Sequence, residues 1–519
     1  MKTNFFHRKV KIGGKSSQDP MVPIPPNLNE ITGFLHEELG TSPDVVFREL
    51  LLADGKLKAC VIYIVGLVQT SVVNRQILNT LLAVQDQEKL VQDPDLIDFI
   101  SFQLLPVGHV SQISDKKKLA ESILNGNTLL LFDGQTRAIS VSTTGGQRRS
   151  IQEPSTEVEV RAPRESFVEY MIINQSMIRR KLKNKNLRFL TMRVGKETNT
   201  QVAIAYLHGI AEPSLVEEVK RRMNKINLDG VLETYYIEHF ISDAPFSIFP
   251  QVDHTERPDR VCAMLLEGRV AILVDGTPWA LIVPVVFFQF LTTVGDYYSN
   301  YVFSSFIRML RFVSFIFALV VPSLYIALTT MHQEMFPTPL VLQIAGARSG
   351  VPFPAIVEAA LMELCFELLR EAGIRLPKAA GQAVSIVGAL IIGEAAVEAG
   401  IVSPIMIIVV ALTGISSFAI PNYELGMALR VLRFPLMVVA SILGIPGITV
   451  AILVLLIYLV SLSSYGLPYL SPFAPMHRKD LKDTFVRFPL TFLARSKHMF
   501  EHHKKSVDEF DAGGHGGKT

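Results

Sequence analysis

Residues 351–433 read VPFPAIVEAALMELCFELLREAGIRLPKAAGQAVSIVGALIIGEAAVEAGIVSPIMIIVVALTGISSFAIPNYELGMALRVLR. An acidic amphipathic helix is followed here by two apolar segments of different kinds. Within 379–400, Gly, Ala and Ser occupy 12 of 22 positions, which lets helix backbones approach closely in lipid, where no hydrophobic drive exists. This segment is a packing helix. Ser385, Ala389 and Gly393 recur every four residues as its helix-packing face, and Val387, Leu390, Ile391, Glu394 and Glu398 form the adjacent stripe. Carboxylates on a membrane helix are costly unless they face water or a partner. Repeated around a ring of subunits, the stripe would place an acidic mouth beyond an apolar collar, as expected of a cation path gated by dewetting. Glutamates snorkelling at a helix end are the plainer alternative.

Ala355–Ala372 is helical in pattern, with Glu363, Glu367, Arg370 and Glu371 on one stripe opposite Leu361, Leu364, Leu368 and Leu369. Such a charged helix spans lipid poorly, so it is expected at the interface or lining a water-filled vestibule. A surface helix with Glu367–Arg370 pairing is the alternative.

Working outward, Phe306–Leu328 covers about 35 Å as a helix, enough for a hydrocarbon core of about 30 Å. Arg308 and Arg311 mark its start as cytoplasmic, and Pro322 should kink it. Gln382–Ala399 and Ile405–Ile420 are further candidate spans. Phe434–Val460 holds Gly444-Ile445-Pro446-Gly447 near its centre, which reads as a broken helix or a re-entrant pair. Four crossings put both ends in the cytoplasm, at the cost of placing Arg375, Lys378, Arg430 and Arg433 outside, against the positive-inside rule.

Before residue 300 the pattern is α/β. Lys58–Leu67 is rich in β-branched residues, and Asp133-Gly134 between two apolar runs signals a hairpin. The same order returns about 142 residues later, with Gly126, Asp133, Gly134, Ala138 and Val141 matching Gly268, Asp275, Gly276, Ala280 and Val283. Two α/β subdomains of related topology follow. The charged connectors around Arg179-Arg180-Lys181 and at Phe249–Arg260 read as solvated faces, interdomain salt bridges or docking surfaces.

The expected organisation is a disordered basic N-terminus (1–30), a first α/β subdomain (31–150) and a second with charged linkers (151–300). An α-helical multi-span membrane domain (301–475, about four spans plus an amphipathic or re-entrant helix) and a basic cytoplasmic tail (476–519) complete it. Of the 519 residues 49% are hydrophobic, mean hydropathy is +0.33, and 50 basic against 48 acidic residues leave a net charge of +2. Nothing in that balance suggests nucleic acid. The three cysteines lie far apart with no CxxC and no histidine pair near them, so no disulfide, metal site or cofactor is expected. With no phosphate loop, GxSxG elbow or HExxH, no catalytic residue stands out and an enzyme is not expected.

Residues 55–470 resemble the A subunit of the GerA-family spore germinant receptors. The motifs are Asp133-Gly134, Pro163-Arg164-Glu165, Thr255-Glu256-Arg257-Pro258-Asp259, Asp296-Tyr297-Tyr298, Val351-Pro352-Phe353-Pro354, Glu358, Arg370-Glu371-Ala372-Gly373, Arg375-Leu376-Pro377 and Ser385-Ile386-Val387-Gly388-Ala389. The resemblance implies a spore inner-membrane protein acting with a permease-like B subunit that binds nutrient and a C lipoprotein. It further implies A subunits ringed around a path for cations released at germination. On this reading Val387, Leu390, Ile391, Glu394 and Glu398 are the pore or gate candidates, and Glu358, Glu363, Glu367 and Arg370 belong to the vestibule or interface helix. A signalling scaffold without a pore, or a secondary-transporter component, are the competing classes.

Overall fold

The computed structural model describes residues 21–53, 55–84, 95–145, 153–154, 156–376, 393–476 and 483–489. The chain divides into two compact units, the first built from 1–148 with 182–186 and the second from 149–181 with 187–519.

In the first unit, helix α1 (Leu28–Leu39) precedes strands β1 (Val45–Leu52) and β2 (Leu57–Ile64). Short helical stretches at Thr70–Val72, Val73–Leu78, Asn79–Leu82 and Leu96–Leu104 lead to β3 (Val110–Ile113), α2 (Lys116–Leu124), β4 (Asn127–Phe132) and β5 (Ala138–Ser142). The antiparallel sheet has the order β1-β2-β4-β5-β3. Strand period two then sorts the core. Cys60, Ile62, Leu129 and Leu131 pack on Leu35 of α1 and Leu119 and Ile123 of α2, whereas Val61, Tyr63, Leu130 and Ile139 pack on Ile77, Leu81, Ile97 and Ile100. The N-terminal boundary lies earlier than the sequence suggests. Ile24 is buried and Pro26 O accepts from Gly134 N at 2.8 Å, because an extended proline segment can lay a backbone carbonyl against a turn without needing its own N–H.

The second unit repeats this order. Helix α3 (Met171–Lys181) precedes β6 (Leu187–Val194), β7 (Thr200–Leu207), α4 (Pro213–Asn224), α5 (Thr234–Ile241), β8 (Asp253–Thr255), α6 (Pro258–Leu266), β9 (Val270–Val274) and β10 (Ala280–Val283). The strand order β6-β7-β9-β10-β8 is the same as in the first sheet. The shared Asp-Gly turns do the same work twice. Asp133 Oδ1 accepts from Leu28 N at 3.0 Å and Asp275 Oδ1 from Met171 N at 3.1 Å, each tying a turn to the first residue of a helix. Gly134 (φ 79°) and Gly276 (φ 92°) supply the left-handed backbone the turn requires.

The helices follow within the same unit: α7 (Gly295–Tyr298), α8 (Tyr301–Thr330), α9 (Thr338–Arg348), α10 (Ala355–Arg375), α11 (Pro404–Phe418) and α12 (Tyr423–Ser461). Helices α8 and α12 are long and apolar enough to cross a membrane, and α11 is a shorter apolar helix. The sequence-expected spans are too short at their starts: α8 begins at Tyr301 under the Asn300 cap, and α12 at Tyr423 under the Asn422 cap. The break expected near the centre of the last span is at Gly444, whose φ of 63° and ψ of −145° are non-helical. The second sheet does not end where the helices begin. Phe249, Val285, Phe287 and Phe290 share one apolar core with Ala318, Leu319, Leu425 and Leu429.

Candidate functional site

The residues that connect the second sheet to the long helices are charged and buried. Asp253, Thr255, Glu256, Arg257, Asp259 and Arg260, written in the sequence as a charged connector, are neither solvated nor open for docking. A buried ion is tolerated when its partners and remaining hydrogen bonds are in place, and here they are except at Asp253 Oδ1, which has no hydrogen-bond partner among the described residues. Arg257 is paired with Asp259 at 2.9 Å and donates to the carbonyls of Pro163 and Glu157, both at 3.2 Å. Arg260 bridges Asp253 at 2.8 Å and Glu157 at 2.6 Å. Burial pushes the Glu157 carboxyl above its ordinary range although Arg260 and Thr255 oppose the shift.

Three motifs meet in this cluster. Pro163 accepts from Arg257, and the Tyr298 hydroxyl donates to Asp259 at 2.9 Å. Burial first and the Asp259 carboxylate second raise the Tyr298 phenol above its usual value, so it stays a donor. Two residues earlier, Asp296 holds the first turns of α8, with Arg311 at 2.9 Å and Arg308 at 3.4 Å. Arg308 also reaches Asp483 at 2.9 Å, and Arg487 donates to Ser299 O at 2.6 Å. The arginines read as topology markers are therefore also structural ties between the sheet, the helix start and residues near the C-terminus.

A second set of buried pairs lies among the helices. Arg433 of α12 pairs with Glu363 of α10 and donates to Ala318 O of α8 at 2.9 Å. Glu358 accepts from Arg348 at 3.0 Å and from Ser403 N at 3.0 Å, and Glu367 pairs with Arg370 and lies 3.9 Å from Arg430. This corrects two expectations. Glu358 and Glu363 of α10 are fully buried, so that part of the charged stripe faces neighbouring helices, whereas Leu361, Leu364 and Leu368 are exposed. Arg430 and Arg433 lie inside α12 rather than in a segment between two helices. The physical reason is common to both: each charge has a partner on a neighbouring helix.

Among the pore or gate candidates, Glu394 and Glu398 are exposed on a helical segment at 393–398, and Gly393 is buried with Ile407 the nearest side chain. Val387, Leu390 and Ile391, with Ser385 and Ala389 of the packing face, lie outside the described residues.

A cavity of about 460 Å³ opens beside α5, β8 and the start of α12. Glu238, His254 and Glu424 converge there, with one ligand atom of each within 4.8 Å of the others. Burial first, then the charges of Glu424 and Asp253, push the Glu238 carboxyl up to about 9. No sequence spacing announces this group, because its members sit on three separated elements.

A family profile described as Bacillus/Clostridium GerA spore germination protein matches residues 33–499. This chain belongs to the GerA family. Spore germination protein KA of Bacillus subtilis is 45% identical over 90% of this chain and 85% of its own length. Spore germination protein GerLA of Bacillus cereus is 40% identical over 90% and 94%. The uncharacterized membrane protein YfkQ of B. subtilis is 43% identical over 91% of each chain. A crystal structure of the N-terminal domain of the A subunit of the Bacillus megaterium spore germinant receptor GerK3 is 34% identical, covering 52% of this chain and 98% of that one with a TM-score of 0.42. The relatives of this GerA-family chain thus include spore germination proteins, and the buried clusters above join its α/β and helical parts.

Proposed function

We propose that this chain is the A subunit of a spore germinant receptor, an integral multi-pass protein of the spore inner membrane with its α/β region and C-terminal tail in the cytoplasm. It assembles with copies of itself into a ring around a cation path, beside a permease-like B subunit that senses nutrient and a C lipoprotein. The observation that carries the channel reading is the placement of Glu394 and Glu398 one turn apart and exposed, next to a buried Gly393. A small residue lets helices close up while the carboxylates stay available to water and cations. Apolar side chains left exposed on the long helices, among them Phe306, Leu310, Ile442 and Leu453, offer faces for lipid or neighbouring subunits. In this arrangement Val387, Leu390 and Ile391 form the apolar collar.

Single-channel recording of the reconstituted receptor tests the reading. Cation currents that shrink and lose selectivity in the Glu394→Gln/Glu398→Gln double variant are expected, because fixed negative charge raises local cation concentration. Absence of current from well-assembled protein would favour a signalling scaffold or transporter component. Val387→Ala should widen the collar and make spores lose potassium without nutrient. Dormant, normally responsive Val387→Ala spores would move the gate to Leu390 or Ile391.

A further inference from the structure

The duplication supplies an internal control for the Glu238, His254 and Glu424 group. Gln112 in β3 stands opposite Ile139, and His254 in β8 stands opposite Leu281, at the same point of the two sheets. Arg137 and Trp279 each immediately precede the strand that pairs there. In the first repeat Asp98 accepts from Gln112 at 2.6 Å and is neutralised by Arg137 at 3.3 Å. The second repeat has an acid in the corresponding helix, Glu238, but lacks the cation. Trp279 occupies the arginine's position, its ring 5.2 Å from the His254 ring in an edge-on contact. A second acid is added instead: Glu424, in the first turn of α12, has its Oε1 3.4 Å from His254 Nδ1.

Glu238 is more than nine-tenths buried, and among the described residues no lysine, arginine or hydrogen-bond donor pairs with its carboxylate. Its neighbours in the cavity include Gln251, whose buried Nε2 also has no partner among the described residues. A buried carboxylate without a cation of its own, beside a second, half-buried carboxylate, is costly. Two carboxylates and an imidazole are a donor set for a divalent transition metal, since the nitrogen disfavours Ca²⁺ and Mg²⁺. Bonds of about 2.1 Å would put the donor atoms about 3–4 Å apart, and they now lie within 4.8 Å of one another. We propose that Glu238, His254 and Glu424 bind one divalent transition-metal cation of the Zn²⁺ or Mn²⁺ class. The ion replaces the guanidinium of the first repeat and ties α5 and β8 to the first turn of α12. It goes beyond the channel reading and does not rest on it.

The test uses the full-length, tag-free chain in detergent, stripped with chelator and titrated with Zn²⁺ and, separately, Mn²⁺ by calorimetry, with metal content counted after gel filtration. One equivalent per chain is expected, with a rise in melting temperature on loading. Glu238→Gln/Glu424→Gln and His254→Gln should weaken binding by about 100-fold or more, at least the loss that outer-shell changes produce. Trp279→Arg, which restores the cation of the first repeat, should also abolish binding while the apo protein stays folded and monodisperse. Failure of the wild-type chain to bind either ion overturns the proposal and leaves a protonated acid pair. Binding unchanged in the Gln variants or in Trp279→Arg also overturns it, by placing the metal elsewhere.

Discussion

In the first repeat Asp98 faces Gln112 and Arg137, and the Gln112 hydrogen bond, with Arg137 beside it, holds its carboxyl below the usual range. In the second repeat Glu238 faces His254 and Trp279 and is pushed up to about 9 by burial and by the neighbouring Glu424 and Asp253. The fold is the same at both places. What differs is where each repeat stands: Asp98 and Arg137 are each more than a third exposed, whereas the second repeat continues into helices that bury its acid. The same contrast runs through the next helix. Lys116, Lys117 and Lys118 in the first repeat stand at the positions of Pro258, Asp259 and Arg260, which are buried in the second, with Asp259 and Arg260 paired. One copy keeps exposed or half-exposed lysines where the other has built an internal charge network, so the same architecture also serves as a foundation for helices.

The comparison is tested most severely by Arg257→Ala. It strips the partner from a buried Asp259 and should destabilise the second repeat by about 3–5 kcal/mol, read by native-state hydrogen exchange of β8 and α6. An effect under about 1 kcal/mol would mean that the network is not a foundation. Next, Ile139→Ala and Leu281→Ala remove equivalent, fully buried side chains from the two sheets. Each should cost about 2–5 kcal/mol, seen as faster exchange confined to its own sheet. Loss of protection in both sheets together would show that the repeats do not open separately.

Asp115 stands in the first repeat where Arg257 stands in the second, and only caps α2, accepting from Lys117 N at 3.1 Å. Asp115→Ala should therefore cost about 1 kcal/mol, well below Arg257→Ala; equal costs would erase the distinction between the copies. The smallest effect is expected at the surface of the second repeat. Side-chain hydrogen bonds from Arg221 and Arg222 hold Glu218 at about 2. Its folded pKa is depressed, so its contribution is complete above the ordinary value of 4.5 and is lost as pH falls through about 2. Acid unfolding of wild type and Glu218→Gln should differ at neutral pH and converge at the acid end; a constant difference would detach the effect from this carboxylate.

The duplication, the Asp-Gly hairpins and the long apolar helices were legible because each depends on neighbours in sequence. Strand period two, positive-φ turn residues and an uninterrupted apolar run are local properties, and Asp133-Gly134 and Asp275-Gly276 announce themselves wherever they occur. The shared strand order then bears out the repeat read from five matched residues. At the charged connector 249–260 the sequence left solvated face, salt bridge and docking surface open, because composition reports charge and not burial. Its arginines look like solvent-facing residues until Asp259, Glu157 and Asp253 are brought beside them.

By itself, then, the amino-acid order determined the two α/β copies, the apolar helices that follow and the family, all written in short-range pattern and motif. The tertiary structure alone decided which charges are buried, and in whose company. Glu363 meets Arg433 across 70 residues, and Glu238 meets His254 and Glu424 from three separate elements. An ion pair or a ligand set is defined by distances of a few ångströms, and such distances between remote residues are set by packing, to which no local spacing in the chain corresponds.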